Sequence, residues 1–268
     1  MVRCNLITSW PGWFCGVALT SISLPSAAAL IDENFNDVTG LSGAGSTRSI
    51  QDTLSGNPSQ LPPGTLWFAL NAGDVNVRRA DNPINTGAVA LGFDSFFSPA
   101  DSGNKFLVLG DRDGPINGPP NGGLFAFAVP FTVPAGATHI NVSFDWAFDG
   151  VDTNNGAQDR FVAGILGDGF IINNPTAIVS PLVNQTGPSF AAGHVDSTLA
   201  VGSLPTPIPI LGTRYLVFGL SESLAINTNS AAGIDNIMVS AVPVPAAVWL
   251  FGSALMGMGV IGRRKAVA

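Results

Sequence analysis

The chain has 268 residues, of which 46% are hydrophobic, and its formal net charge is −7. All 18 acidic residues lie between Asp32 and Asp235, where only seven basic residues occur, so this stretch carries a net charge of −11. Nucleic acid is therefore excluded as a partner, because phosphate groups are bound by clusters of Lys and Arg.

The first 29 residues have the pattern of a secretory signal peptide. Arg3 is the only charged residue, an apolar stretch covers 10–24, and Ala27 and Ala29 are the small residues of a cleavage site. We expect cleavage after Ala29 and export of the remaining chain.

Both cysteines, Cys4 and Cys15, lie inside this removable segment, so the mature chain forms no disulfide. It must hold together by burying apolar side chains, helped by any ion that it binds. Residues 30–241 are long enough for one substantial core, and we predict a single domain there.

Alternating apolar and polar residues predict β-strands through this domain. The pattern is clearest at 138–150, where five apolar side chains point to one face. It recurs at 125–133, and 134–136 is a turn, so these two segments are predicted to be neighbouring strands. Further strands are predicted at 65–71, 88–97, 105–109, 160–166, 214–220 and 233–240. Many short strands with almost no helix indicate an all-β fold, a β-sandwich or jelly roll.

Catalytic motifs are scarce in the predicted domain. His139 is expected on the polar face of its strand and His194 in a loop, both as ordinary solvated side chains. Asp145 and Asp149 share one polar strand face, but positions four apart on a strand are about 13 Å apart, too far for a glycosidase pair. A carboxylate-based extracellular glycan hydrolase stays an alternative in which other strands supply a carboxylate.

An oxygen-rich loop at 149–159 is a candidate Ca²⁺ site. Its ligands would be Asp149, Asp152, Asn154 and Asp159, although their spacing is not that of an EF-hand. Solvated turns account for the same residues, because Asp and Asn favour turns.

The two ends of the domain carry a second candidate. IDENFND at 31–37 and GIDNIMV at 233–239 resemble the first and last strands of secreted carbohydrate-binding-type β-sandwiches. The resemblance implies that the two end strands pair and that an acid from each holds a structural calcium ion. Glu33 and Asp235 would be the ligands.

The chain ends on an apolar segment. Residues 246–262 are 17 uncharged residues, and as a helix they would be about 25 Å long, at the short end of what spans a bilayer. Pro243 and Pro245 precede this segment. The basic residues that follow are predicted to stay on the cytoplasmic side: Arg263, Arg264 and Lys265. The sequence thus predicts a single C-terminal transmembrane helix.

This order of a Pro motif, an apolar helix and a basic end over 242–268 resembles the PEP-CTERM sorting signal of Gram-negative bacteria. Val244 replaces the central Glu of the motif, which leaves the cut site open. The resemblance implies that an exosortase cuts near Pro243 and Pro245 after a transient stay in the inner membrane. The product would go to the cell surface or to an exopolysaccharide matrix.

From these patterns we predict an exported, non-enzymatic protein with a structural or adhesive role and glycan as a candidate ligand. Trp146 shares its strand face with apolar residues and is expected in the core, while the place of Trp67 is open. Two alternatives remain, namely the glycan hydrolase and a surface domain whose membrane anchor is never cut.

Overall fold

The structure, a computed structural model, describes residues 28–41, 47–50, 63–70, 74–80, 91–97, 103–110, 123–150, 159–166, 178, 181–187, 189–205, 213–222, 230–243 and 251. Its strands all belong to one compact unit, residues 27–244. Within the described ranges no helix is long and apolar enough to cross a membrane. The predicted signal peptide up to Ala27 and the apolar segment 246–262, except Phe251, lie outside the described residues.

The described chain is built almost entirely from strands. In chain order the elements are β1 (Ala28–Glu33), β2 (Thr47–Ser49), β3 (Leu66–Leu70), β4 (Asp74–Arg79), α1 (Leu91–Phe97), β5 (Lys105–Gly110), β6 (Leu124–Thr132), β7 (Ala137–Gly150), β8 (Arg160–Leu166), β9 (Val183–Thr186), β10 (Ser189–Ala200), a 3-10 turn (Val201–Ser203), β11 (Thr213–Ser221) and β12 (Ala231–Pro243).

The strands form two antiparallel sheets. Sheet A has the order β10-β7-β12-β5-β4-β2, with β1 added alongside β12, and sheet B has the order β3-β6-β11-β8-β9. Phe144 of sheet A and Phe218 of sheet B meet edge to face, with their ring centroids 5.0 Å apart. The two sheets therefore enclose a common core, and the predicted all-β fold of packed antiparallel sheets is confirmed.

Strand β7 has the alternation that its sequence predicts. Every apolar position from Ile140 to Phe148 on its inner face is buried, and Trp146 lies in the core at 8% exposure. Trp67 of β3 is partly buried and packs against the same core. Both tryptophans of the sandwich therefore contribute to packing.

Residues 88–97 do not form the predicted strand, because Leu91–Phe97 is helix α1. Its Phe93 and Phe97 are buried, and the ring of Phe97 stacks on Phe106 of β5 at a centroid distance of 4.4 Å. A Cβ atom on Gly233 of β12 would lie 2.5 Å from the Phe97 ring, so the helix packs directly on the strand backbone. Helix α1 thus forms a second, smaller core on the outer face of sheet A.

Strands β6 and β7 are consecutive but do not pair with each other. The turn at 134–136 exists, with the Ala137 amide donating to the Pro134 carbonyl oxygen at 3.2 Å. However, β6 pairs with β3 and β11 in sheet B, whereas β7 pairs with β10 and β12 in sheet A. The prediction of neighbouring strands is wrong, since the short connection crosses from one sheet to the other.

The last strand is central to sheet A. One side of β12 is covered by β7, and its other side is shared by β5 along Ala231–Ile234 and by β1 along Ile237–Ala241. The first and last strands of the sandwich are thus paired and antiparallel, as the resemblance of the chain ends implies. β12 ends at Pro243, the first proline of the tail motif.

Replacing Phe218 by Ala tests the core that joins the two sheets. This ring is fully buried between Phe127 and Phe144. We expect Phe218→Ala to lower the free energy of unfolding by about 3–5 kcal/mol, because it removes buried area and leaves a cavity. Urea unfolding is the measurement. Met238→Ala, at a side chain 44% exposed, is the control and should stay within about 0.5 kcal/mol of the parent. A loss below about 1 kcal/mol in Phe218→Ala would contradict a common core.

Candidate functional site

Strands β1 and β5 meet at one point beside β12. β1 ends at Glu33, which pairs with Ile237, and β5 pairs with β12 up to Ile234. Asp235 and Asn236 lie between these two pairings, where the register of β12 against β7 also shifts. We call this place the chain-end junction, and it consists of Glu33, Asn36, Asn104, Asp235 and Asn236.

Asparagine side chains fill the junction around Asp235. The Asn104 side-chain amide donates to Asp235 Oδ2 at 2.7 Å, and the Asn236 backbone amide donates to Asp235 Oδ1 at 2.8 Å. Asn104 Nδ2 also reaches the Phe97 carbonyl oxygen at 3.1 Å, and its Oδ1 accepts from Asn36 Nδ2 at 3.0 Å. These bonds connect the end of β1, the start of β5 and helix α1 around one carboxylate.

Glu33 is the other acid of the junction, and it is only 3% exposed. Its Oε1 accepts a hydrogen bond from the Phe35 backbone amide at 2.5 Å. Its Oε2 is buried without a hydrogen-bond partner. A buried carboxylate oxygen without a partner lowers the stability of the folded state. The junction therefore favours a proton or a cation at this atom.

Burial raises the pKa of both acids to about 7, from ordinary values of 4.5 for Glu33 and 3.8 for Asp235. For Asp235 the negative charges of Asp145 and Glu33 add to the effect of burial, while the bonds from Asn104 and Asn236 oppose it. The two carboxylates therefore repel each other as like charges. A bound cation would relieve this repulsion.

Backbone strain accompanies the junction. Phe35 and Asn236 are the non-glycine residues with positive φ in the described chain, at 56° and 51°. One follows Glu33 by two residues and the other directly follows Asp235. A left-handed conformation is unfavourable for Phe, and it is held here by burial of the ring, which contacts Phe127.

These residues fit a hard cation such as Ca²⁺, which binds carboxylate and amide oxygens. Glu33 and Asp235 would supply the charged ligands, and Asn36 and Asn104 also carry amide oxygens in the junction. The ion would neutralise two buried charges and tie the first strand to the last. The sequence did not predict three residues of the junction: Asn36, Asn104 and Asn236. Asn is common in turns, so a single Asn at a strand end does not indicate a binding site.

The other predicted calcium ligands have different surroundings. Asp149 lies on β7, and burial raises the pKa of its carboxyl group. Asp159 is buried beside β8 and accepts a hydrogen bond from the Ser230 hydroxyl. Asp152 and Asn154 lie outside the described residues. Among the residues that are described, no group of three or more His, Cys, Asp or Glu side chains is placed to hold a metal.

The outward face of β7 and β10 carries a second set of polar side chains. His194 lies on strand β10, so its prediction as a loop residue is wrong, and its Nδ1 is 2.7 Å from Asp145 Oδ1. The other oxygen of Asp145 accepts from Asn236 Nδ2 at 2.7 Å. His139 is exposed on the polar side of β7, as predicted. This face is thus linked to the chain-end junction through Asp145.

The predicted processing residues lie at the edges of the sandwich or beyond the described chain. Ala29 is exposed on β1 and pairs with Ser240, and Pro243 pairs with Ala137 at the end of β12. The other predicted processing residues lie outside the described ranges: Ala27, Pro245, Arg263, Arg264 and Lys265.

No family model matches this chain, and no curated protein sequence does. Several solved structures show weak similarity to this chain. One is TmCBM61 in complex with β-1,4-galactotriose (12% identity, 65% of this chain and 86% of that chain, TM-score 0.32). Another is the K3 cleaved adhesin domain of Lys-gingipain from Porphyromonas gingivalis (12% identity, 80% and 98%, TM-score 0.37). A third is TmCBM27, a carbohydrate-binding module that recognises mannan (8% identity, 81% and 98%, TM-score 0.31). Similarity at this level assigns no function to the chain.

Calcium should stabilise the protein through the junction. At a Ca²⁺ concentration about 100 times the dissociation constant, binding to the folded state alone adds about 2.7 kcal/mol, equivalent to roughly 5–10 °C in the midpoint of thermal unfolding. We expect Glu33→Gln and Asp235→Asn to abolish this shift. The control Asp32→Asn removes an exposed neighbouring carboxylate and should keep it. Differential scanning calorimetry with Ca²⁺ or EDTA is the measurement, and an equal shift in Glu33→Gln would rule out Glu33 as a ligand.

Without a cation, stability should fall as pH rises. Both junction acids have a pKa near 7 in the folded state, above their ordinary values, so the folded state binds more protons than the unfolded chain between about pH 4 and 7. The free energy of unfolding then declines across this window, by on the order of 3 kcal/mol for each carboxyl taken alone, and is lowest above it.

Urea unfolding in EDTA at several pH values measures this decline. Glu33→Gln should have a shallower decline than the parent and should be at least as stable near pH 8, because the amide carries no buried charge. A decline of equal slope in Glu33→Gln would contradict the role of this carboxyl.

Proposed function

We propose that the protein is an exported, non-catalytic β-sandwich that an exosortase cuts from a transient inner-membrane anchor and releases to the cell surface or the exopolysaccharide matrix. Its role there is structural or adhesive, and it binds glycan. The sorting part rests on the tail motif of 242–268 and on the place where the sandwich ends.

The observation that carries the sorting proposal is the position of both expected cuts relative to the strands. Cleavage after Ala29 removes two residues of β1 and leaves the pairings from Ile31 to Glu33 in place. Cleavage near Pro243 or Pro245 falls at or beyond the last residue of β12. Every strand of both sheets thus lies within the expected product, apart from the first residues of β1.

The spacing of Asp145 and Asp149 does not suit hydrolysis by this pair. Asp145 and Asp149 are four positions apart on one strand, about 13 Å, whereas glycosidase carboxyl groups are about 5–9.5 Å apart. Asp145 is also bonded to His194 and Asn236, and Asp159 is buried against Ser230. Asp145 and Asp159 are thus hydrogen-bonded to other side chains of the fold.

Intact mass spectrometry of the protein from its own cells tests the sorting proposal. We expect the extracellular fraction to lack residues 1–29 and everything after about 242–245. Replacing Pro243 and Pro245 by Ala should block the second cut and leave the chain in the membrane fraction. Val244→Glu, which restores the motif's central Glu, is the matched control and should still be cut. A product that keeps 246–262 in the parent protein would refute exosortase processing and favour a permanent anchor.

A further inference from the structure

Strand β10 is the outermost strand of sheet A, and with β7 it presents a two-stranded outward face. Val195 of β10 is buried in the main core, so residues of the other parity point away from it. In order along the strand these are Phe190, Ala192, His194, Asp196 and Thr198. Opposite them on β7 lie Asp149, Ala147, Asp145, Ser143 and Asn141. We call these ten residues the outer ladder.

One end of the outer ladder is a fixed aromatic ring. Phe190 is 45% exposed, and among the described residues of the sandwich it is the one aromatic side chain that is this accessible. Its ring centroid lies 6.1 Å from that of Phe93, which is itself 2% exposed within the core under α1. The ring is therefore held against the helix while part of its surface stays open to solvent.

The rest of the outer ladder consists of hydrogen-bonding pairs. His194 and Asp145 follow the small residues Ala192 and Ala147, and His194 Nδ1 lies 2.7 Å from Asp145 Oδ1. Further along, the Thr198 hydroxyl donates to Asn141 Oδ1 at 2.9 Å. From Phe190 to Thr198 the strand rises about 27 Å, a length over which several linked sugar rings fit.

This combination matches the surface of a sugar chain. A pyranose ring has a face of C–H groups that stacks on an aromatic ring and a rim of hydroxyls that bind carboxylates, amides and imidazole. A protein partner that docked on this face would need a wider apolar patch than a single ring. An extended glycan needs only a single stacking platform followed by polar groups.

The charge of the outer ladder selects among glycans. It contains three carboxylates, Asp145, Asp149 and Asp196, and neither β7 nor β10 contains Lys or Arg. An acidic polysaccharide would be repelled by this face, whereas uncharged hydroxyls find acceptors on it. We propose that the outer ladder binds an extended, neutral glycan chain, with Phe190 as the stacking platform. This site assignment depends on the glycan binding proposed above.

Affinity electrophoresis of the processed protein tests this site. The neutral probes are β-1,3-glucan, mannan and galactan, and the acidic probes are alginate and polygalacturonate. We expect retardation by at least one neutral probe and by neither acidic one. Phe190→Ala should weaken that binding at least about 10-fold, Phe190→Tyr should keep it, and Phe190→Leu should lose it because stacking needs a π face.

Leu66→Ala is the matched control, since it removes an exposed apolar side chain from β3 of sheet B, away from the outer ladder, and should bind as the parent does. Circular dichroism should be identical for all variants, because Phe190 is not part of the main core. Binding that survives in Phe190→Ala would overturn the site while leaving glycan binding intact. Binding to acidic probes alone would overturn the neutral class. Binding to none of the five probes would instead overturn glycan binding itself and with it the site.

Discussion

On one side of the last strand, β12, two different strands pair along its two halves. The sandwich depends on how the gap between these two strands, at Asp235 and Asn236, is closed. β5 covers Ala231–Ile234 and β1 covers Ile237–Ala241, so the backbone between them lacks a ladder partner on that side. Side chains take over there, with Asn104 and the Asn236 backbone amide satisfying both oxygens of Asp235. Glu33 Oε2 is the junction oxygen left unpaired. Because such a group costs about 1–3 kcal/mol, the junction is the point where a proton or cation most affects stability.

The same strand divides the outer face of sheet A into two surfaces. Over β5 and the Ala231–Ile234 half of β12 the outward residues are apolar or small, including Phe106, Val108, Ala231 and Gly233, and they accept helix α1 in direct contact. Over β7 and β10 the outward residues from the His194–Asp145 pair to the Thr198–Asn141 pair are polar. They can face solvent without a helix to cover them. Phe190 lies at the border, partly packed on Phe93 and partly open. An aromatic ring in that position is fixed by the apolar surface and still accessible from the polar one, which is the requirement for a stacking platform.

Prediction from the sequence succeeded where one face of a strand is fully apolar and failed where tertiary context decides. Strand β7 was predicted because its inner face is entirely large and apolar. Strand β10 was missed, since its inner positions include Gly193 and Ser197 and do not alternate with the polar ones. Helix α1 was mistaken for a strand, although Phe93 and Phe97 are spaced four apart as on one face of a helix. The prediction that β6 and β7 are neighbouring strands is wrong because a short turn can join strands of different sheets. Glu33 and Asp235 were found only through the resemblance of the chain ends.

Asp145 connects the two surfaces that carry the proposals. One of its oxygens accepts from Asn236, the strained residue of the junction, and the other lies 2.7 Å from His194 of the outer ladder. Its charge also raises the pKa of Asp235. A cation at the junction would therefore lower the electrostatic repulsion between Asp235 and Asp145. The chain-end junction and the outer ladder thus share one carboxylate, Asp145, which contacts both Asn236 and His194.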